Sequence, residues 1–317
     1  MTWDVITLGE PLLRLQPRDD ERLEESARLH AFVGGAELNV AYALAGLGRS
    51  SALFTAVPEG PLGRRVLRHL RAGGVDTAFV HVLPGRLGLY WVEYGREPRT
   101  IEVHYDRAGS AFCALDRERA PWAALRASRM FFVSGITPAL SPTVCELALE
   151  MAQEARRAGI TVAVDLNYRA RLWSVAQAAP VLERLARSAD VLVAPEADLR
   201  TVFGWSGTAE ELLRRAAEAF PASTVVLTCG GEGAVCMRQG ALQRGPVFPC
   251  VQIDRVGAGD AFTAGLLHAL LDGHAERSLD YALAMAALKH GVRGDTLTTT
   301  AEELERVASR QARDIRR

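Results

Sequence analysis

Lysine and asparagine are almost missing from this 317-residue chain: of 37 Lys and Arg side chains only Lys289 is a lysine, and Asn39 and Asn167 are the only asparagines. A phosphate loop of the G-x-x-x-x-G-K-[ST] kind needs a lysine directly after a glycine, and Lys289 stands in "ALKHG". P-loop and protein-kinase-type phosphate chemistry are thereby excluded. Long apolar runs are also absent, and "MTWDVITLGE" has no basic stretch followed by an apolar one. The chain therefore reads as cytoplasmic. Its five cysteines (Cys113, Cys145, Cys229, Cys236, Cys250) form no C-x-x-C pair and lie in apolar surroundings, which predicts buried free thiols. The seven histidines show no H-E-x-x-H spacing, so a structural zinc site is not expected. A formal net charge of −1 gives no basic surface for nucleic acid.

What is present is an ordinary globular composition, 49% hydrophobic and 24% charged. "WDVITLGE" reads as a buried first strand and "PLLRLQ" as a short alternating one, followed by the helix "GGAELNVAYALAGLG", the strand "SALFTAV" and the helix "LGRRVLRHLRAGG". "LGLYWVEYGREPRTIEVHYDR" interrupts this alternation with two aromatic, β-branched runs joined by "GREP". Such a hairpin has to sit apart from a parallel sheet, as a flap or lid. From "RMFFVSGI" on, strands and helices alternate again: helix 142–158, strand "ITVAVDLN", helix near 178–187, strand "VLVAP", a helix, strand "TVVLTCG", helical segments over 260–291 and a last Arg/Glu-rich helix. The reading is one doubly wound α/β domain over 1–317, with a small β lid formed by about 11–32 and 86–108.

The chemistry concentrates in "RVGAGDAFTAG". A helix starting at about Ala258 leaves several N–H groups unpaired around Gly257, Ala258 and Gly259, and its positive end together with bare glycine backbone makes an anion hole. Asp260 then stands beside the bound anion. There it can take the proton of a hydroxyl whose oxygen attacks phosphorus. A helix cap with a favourable first-turn aspartate is the plainer alternative. "TCGGEGA", with Thr228, Gly230, Gly231 and Gly233, reads as a hairpin turn whose bare backbone could also carry a flat base and ribose.

Together these stretches resemble the ribokinase-like, or phosphofructokinase-B type, carbohydrate kinases. "DRVGAGDAF" is similar to their C-terminal signature, "GGAELNVAYALAGLG" to their N-terminal one and "TCGGEGA" to their nucleotide loop. "GEP", "HYDRAGSA", "SGITPALSP", "DLNYRARLW" and "VRGD" look most like 2-keto-3-deoxygluconate kinases. The resemblance implies an αβα sandwich with a β lid, ATP and Mg²⁺, a sugar-acid substrate and Asp260 as general base. It further implies Gly34, Gly35 and Asn39 on the sugar hydroxyls, with Tyr90, Tyr105 and Arg107 reaching in from the lid. Arg169 would meet acceptor and transferred phosphoryl, Asn167 the nucleotide phosphates and Asp295 the distal sugar. "PEAD" departs from the family pattern and leaves Asp198 as the indirect Mg²⁺ contact; Leu283 departs from it near the adenine. Arg107 and Arg169 suit an acid, since a planar guanidinium pairs a carboxylate through two parallel hydrogen bonds. A kinase for a neutral sugar such as fructose or ribose, or for another keto acid, is the nearest alternative, and a non-catalytic sugar- or nucleotide-binding regulator is the remote one. The apolar lid strands predict a homodimer through the lid.

Overall fold

The computed structural model describes residues 2–18, 21–95 and 98–309. After β1 (Val5–Leu8) the chain leaves for β2 (Leu12–Gln16) and β3 (His30–Gly34), then forms α1 (Ala36–Gly46), β4 (Ser51–Pro58), α2 (Pro61–Ala72) and β5 (Val80–Leu83). A second excursion makes β6 (Gly88–Glu93) and β7 (Glu102–Asp106). Alternation resumes through α3 (Trp122–Ala127), β8 (Met130–Ser134), α4 (Pro142–Arg157), β9 (Thr161–Asp165), α5 (Val175–Ser188) and β10 (Val191–Pro195). Then come α6 (Glu196–Phe203), α7 (Ala209–Ala219), β11 (Thr224–Thr228), β12 (Ala234–Arg238), β13 (Ala241–Arg244), α8 (Ala258–Leu271), α9 (Ser278–His290) and α10 (Ala301–Ala308).

Nine strands form the main sheet in the order β13-β12-β11-β10-β9-β8-β1-β4-β5; seven pair in parallel, and β12 and β13 add to β11 through antiparallel pairings. Strands such as β8, "MFFVS", are buried at every position because helices cover both faces. Residues of α4, α5 and α7 fill one side and those of α1, α8 and α9 the other, which makes the expected αβα sandwich. Strand order runs outward from β1 in both directions, so the C-terminal ends of the strands diverge there and leave a crevice.

Caps explain where several helices begin. Ser141 Oγ accepts the Val144 N–H at 3.2 Å before α4, and Ser174 with Gln177 closes a capping box before α5. That box starts α5 at Val175, three residues before the expected start near 178. The single helix expected before β11 is two, α6 and α7, because Gly204 turns left-handed at φ 64°. All five thiols are free, yet only Cys236 is buried and Cys250 is exposed, against the expectation of five buried thiols. Arg96 and Glu97 of the "GREP" turn lie outside the described residues, as does 310–317 of the last expected helix.

The second sheet, β3-β2-β6-β7, stands apart from the first. Leu13, Val33, Leu15 and Leu89 pack its far face on Leu38, Leu53 and Val66, while Leu12, Tyr90 and Val92 line the near face. Alternation in "PLLRLQ" suggests a solvent-facing Arg14; the structure buries it completely. Its Nη1 and Nη2 donate to Asp254 at 3.2 and 2.5 Å, and its Nε lies 3.1 Å from Asp295 Oδ1, an ion pair out of hydrogen-bond alignment. Phe32 stacks under the guanidinium at 4.7 Å. The second sheet is thus held to the loops before and after α8 and α9 by charge as well as by packing. Arg14→Met keeps the bulk and removes the charge, leaving two buried carboxylates without their partner; it should lower unfolding free energy by about 3–5 kcal/mol in a denaturant titration at neutral pH. A change below 1 kcal/mol would show that the triad is structurally idle.

Candidate active site

A cleft of about 480 Å³ opens between the second sheet and the C-terminal strand ends of the first. Leu12, Tyr90, Val92, Ile101, Val103, Tyr105 and Arg107 line it from one side, and Asp165, Val193, Pro195 and Thr228, at the ends of β9, β10 and β11, from the other. The start of α1 adds Gly35, Ala36 and Asn39, and the start of α8 adds Gly257, Gly259 and Asp260. This is where open α/β sheets place ligands.

The α1 end requires its glycines. A Cβ on Gly35, at φ 140°, would lie 2.3 Å from the Glu10 carbonyl oxygen, and one on Gly34 would lie 2.3 Å from Asp295 Oδ2. Gly34 is therefore behind the cleft, a packing position against Asp295. Glu37, in the first turn of α1, is buried and accepts from Ser134 N, Ser134 Oγ and Thr137 Oγ1 at 2.9, 2.7 and 2.8 Å, fixing α1 to the end of β8. Asn39 then reaches across to α8 and donates Nδ2 to Asp260 Oδ2 at 2.6 Å.

At the α8 end, Gly257 sits at φ 83°, and a Cβ there would be 2.1 Å from the Asp295 carbonyl oxygen. Only glycine allows that approach. The Ala258 N–H turns inward to Arg255 O at 3.3 Å, so the anion-facing donors of the first turn are those of Gly259 and Asp260, which have no intrahelical acceptor. Burial pushes the Asp260 carboxyl up to about 6, against the Asn39 hydrogen bond and the Arg169 charge that favour its ionised form. A base with that value is half-ionised near pH 6 and mostly ionised at neutral pH.

β9 contributes a carboxylate that motif reading missed. Asp165 is buried and lines the cleft; burial, with Asp198 and Asp260 nearby, pushes it up to about 8. Its signal was available, the carboxylate that ends β9 in "ITVAVDLN", two residues before Asn167. Asn167 takes the left-handed φ of 37°, unusual for a non-glycine residue, and its N–H donates to Asp165 Oδ1 at 3.1 Å. Asp198 lies behind, off the cleft lining, with Oδ2 accepting the Tyr168 N–H at 2.8 Å and its value raised by burial to about 6. Arg169 is exposed at the cleft, its charge favouring ionisation of Asp165, Asp198 and Asp260. Among the described residues no group of three His, Cys, Asp or Glu side chains forms a ready metal cluster.

Arg107 is in the cleft but already paired. Its Nε and Nη2 donate to Glu10 Oε2 at 2.7 and 2.6 Å, and Ser110 Oγ donates to the other oxygen of that carboxylate. Tyr105 stacks on Tyr90 with centroids 5.7 Å apart, and Tyr90 donates its hydroxyl to Asp295. Asp295 is raised to about 6 by burial, which the Arg14 charge opposes. Thr228 lines the cleft at the end of β11, while Gly230, Gly231 and Gly233 lie beyond the lining. A Cβ on Gly230 or Gly231 would meet nothing within 4 Å; Gly233 faces Val247, an exposed valine. The glycine turn joins β11 to β12 as a hairpin and presents open backbone at the cleft's end.

Among the described residues no helix is long and apolar enough to cross a membrane. Comparison with known proteins gives the family. A 2-dehydro-3-deoxygalactonokinase of Haloferax volcanii is 41% identical over 97% of this chain and 97% of its own length. The crystal structure of a 2-dehydro-3-deoxygluconokinase from Thermotoga maritima superposes with a TM-score of 0.92 at 33% identity, covering 98% of this chain and 99% of that one. An aminoimidazole riboside kinase from Salmonella enterica, solved with its riboside and an ATP analogue, shares the fold alone, with a TM-score of 0.80 at 21% identity over 96% and 99% of the two chains. The pfkB family carbohydrate kinase profile matches residues 4–303, and with relatives this similar along nearly its whole length the chain belongs to that family.

Proposed function

We propose that this carbohydrate kinase phosphorylates a 2-keto-3-deoxy sugar acid, 2-keto-3-deoxygluconate, to its 6-phosphate with ATP. The observation that carries the chemistry is Asp260, a half-buried carboxylate raised to about 6 in the first turn of α8, beside N–H groups that lack an acceptor. The substrate hydroxyl oxygen forms a bond to the γ-phosphorus of ATP as the bond to the β,γ-bridging oxygen breaks and ADP leaves. Asp260 takes the hydroxyl proton, and the N–H groups of Gly259 and Asp260 stabilise charge on the transferred phosphoryl. Asn39 holds the Asp260 carboxylate in place. Asn167 and Thr228 face the triphosphate, and the open turn over Gly230, Gly231 and Gly233 takes ribose and base.

Mg²⁺ fits this site as an ion carried in by the nucleotide. Asp165 and Asp198 are crowded carboxylates whose ionised forms a divalent cation would favour, and phosphate oxygens would complete its shell. Bound there, the ion would neutralise charge on the phosphates. In this reading Asp165, which lines the cleft, is a nearer contact for the ion than Asp198, which lies off the lining.

The preference for an acid rests on Arg107 and Arg169 at the cleft and on the sugar-acid kinases among the relatives. Glu10 occupies two donors of Arg107, so the substrate carboxylate meets a guanidinium already fixed in direction. The galactonate epimer named for the Haloferax volcanii relative belongs to the same substrate class. In this reading β2, β3, β6 and β7 act as the lid, and a second copy of the chain packs on the part of it that the chain's own body leaves half-buried, at Leu15 and Trp91, which pair in register.

Asp260→Asn should lower kcat by about 10²–10⁴ with KM for ATP nearly unchanged. In the wild type, kcat/KM should fall about tenfold per pH unit below 6, because protonation of the raised carboxyl removes the base. Near-wild-type turnover in the variant would overturn the assignment. A panel of 2-keto-3-deoxygluconate, 2-keto-3-deoxygalactonate, fructose and ribose should show preference for the acids, with Arg169→Ala losing about tenfold to a hundredfold in kcat/KM on the acids and less on the neutral sugars. Preference for fructose or ribose would mean a neutral-sugar kinase. Light scattering at micromolar concentration should give twice the chain mass; a monomer mass would remove the lid-to-lid dimer.

A further inference from the structure

Lys289 is the only lysine in a chain with 37 Lys and Arg residues, and it is fully buried. It lies in the last turn of α9, where the helix dipole favours a cation. Its Nζ donates to the Val292 carbonyl oxygen at 3.1 Å and reaches the Asp254 carbonyl oxygen at 3.5 Å. Its Cε lies 3.4 Å from where a Cβ on Gly257 would be. The ammonium is thus directly behind the left-handed residue that opens α8.

Those two carbonyls belong to the two segments that shape the site. The first runs from Asp254 into Gly257 and α8; the second runs from the end of α9 to Asp295. Side-chain and main-chain bonds already link them: Gly294 N donates to Asp254 Oδ2 at 3.0 Å, and Ile253 N donates to His290 O at 2.8 Å. Charges of both signs surround the ammonium. The Asp254, Asp295 and Asp260 carboxylates favour it, the Arg14 guanidinium opposes it, and burial holds Lys289 below the usual lysine value. A compact ammonium with three donors reaches both carbonyl oxygens from one point, which a bulkier planar guanidinium, its donors fixed in a fork, does less readily. Every other basic position in the chain is arginine, so this site's need for a compact cation is a physical account of its exception.

We propose that Lys289 is a positioning residue for phosphoryl transfer. Its ammonium is a tethered cation that clamps the segments bearing Gly257 and Asp295 and adds positive charge behind the anion hole. A kinase built this way needs no free monovalent cation at that spot. The proposal rests on the phosphoryl-transfer reading of the α8 start.

Lys289→Met and Lys289→Gln leave two carbonyls facing a space the size of a small cation. Both variants should lose about tenfold or more in kcat, less than the 10²–10³ of a direct oxyanion donor, with a smaller change in KM for the sugar. Potassium or ammonium chloride should restore several-fold of that loss, and tetramethylammonium chloride at equal ionic strength should not. Wild-type kcat should be the same in all three salts. Melting temperature gives a substrate-free readout: the variants, and not the wild type, should be stabilised by potassium or ammonium over tetramethylammonium. Wild-type activation by potassium, variants with wild-type kcat, or a loss that no small cation restores in either readout would each overturn the proposal. If neither variant folds, the three-salt comparison on the wild type decides alone. A protein that turns over no carbohydrate but shows the cation-specific melting pattern would refute the functional reading and keep the tethered cation.

Discussion

The whole arrangement depends on one buried ionic cluster. Arg14 on β2 meets Asp254, 240 residues away in sequence, and Asp295 from a third segment. With Lys289 beside them the cluster holds two cations against two carboxylates, so the opposing charges balance among buried side chains. Asp254 uses its remaining capacity on the Val256 and Gly294 N–H groups, each at 3.0 Å, and accepts the Tyr94 hydroxyl. One carboxylate therefore fixes the approach to α8, the loop bearing Asp295 and the second sheet at once. Replacing such a cluster by hydrocarbon could give an equally stable fold, but not one in which three distant segments share a single register.

The cleft is made of side chains that are already paired. Tyr90 is on Asp295, Arg107 on Glu10 and Asn39 on Asp260. Each is held in one orientation, so a ligand that matches these directions binds without first ordering the groups that receive it. Asp165 is the counterexample: it is crowded by Asp198 and Asp260 and gains from any cation brought near it. Preorganised donors and a frustrated carboxylate in one cleft suit a substrate pair that brings both negative charge and a metal ion.

The fold was largely legible in the sequence because it depends on local pattern: apolar strands, capped helices and a hairpin that breaks the alternation. The "VGAGD" and "TCGGEGA" stretches were legible for the same reason, since glycine at a turn or helix start has a local cause. Arg14 was not. In "PLLRLQ" it reads as the polar half of an alternating strand, and only partners far along the chain make that face an interior. Glu37 and Asp165 were hidden likewise, as carboxylates whose burial is decided by elements they do not adjoin in sequence. Arg107 was found, but its Glu10 partner was not, because a pair 97 residues apart leaves no spacing to read. The start of α5, expected near 178, lies at Val175, where the capping residues Ser174 and Gln177 were the better guide.

The margins of the main sheet bear on how the protein behaves in a crowded solution. Its two edge strands, β5 and β13, are four residues each, and β13 is an antiparallel addition carrying Arg244, which pairs with Glu210 of α7. An edge that short offers few free N–H and C=O groups to an incoming strand, and a charged side chain on it penalises stacking. Seven parallel strands, slow to assemble because each must wait for a distant partner, are thereby finished at both sides with segments that resist templating another chain. Resistance to aggregation is thus set at the sheet's edges, far from the cleft, and substitutions within the cleft can alter turnover without exposing a sticky border.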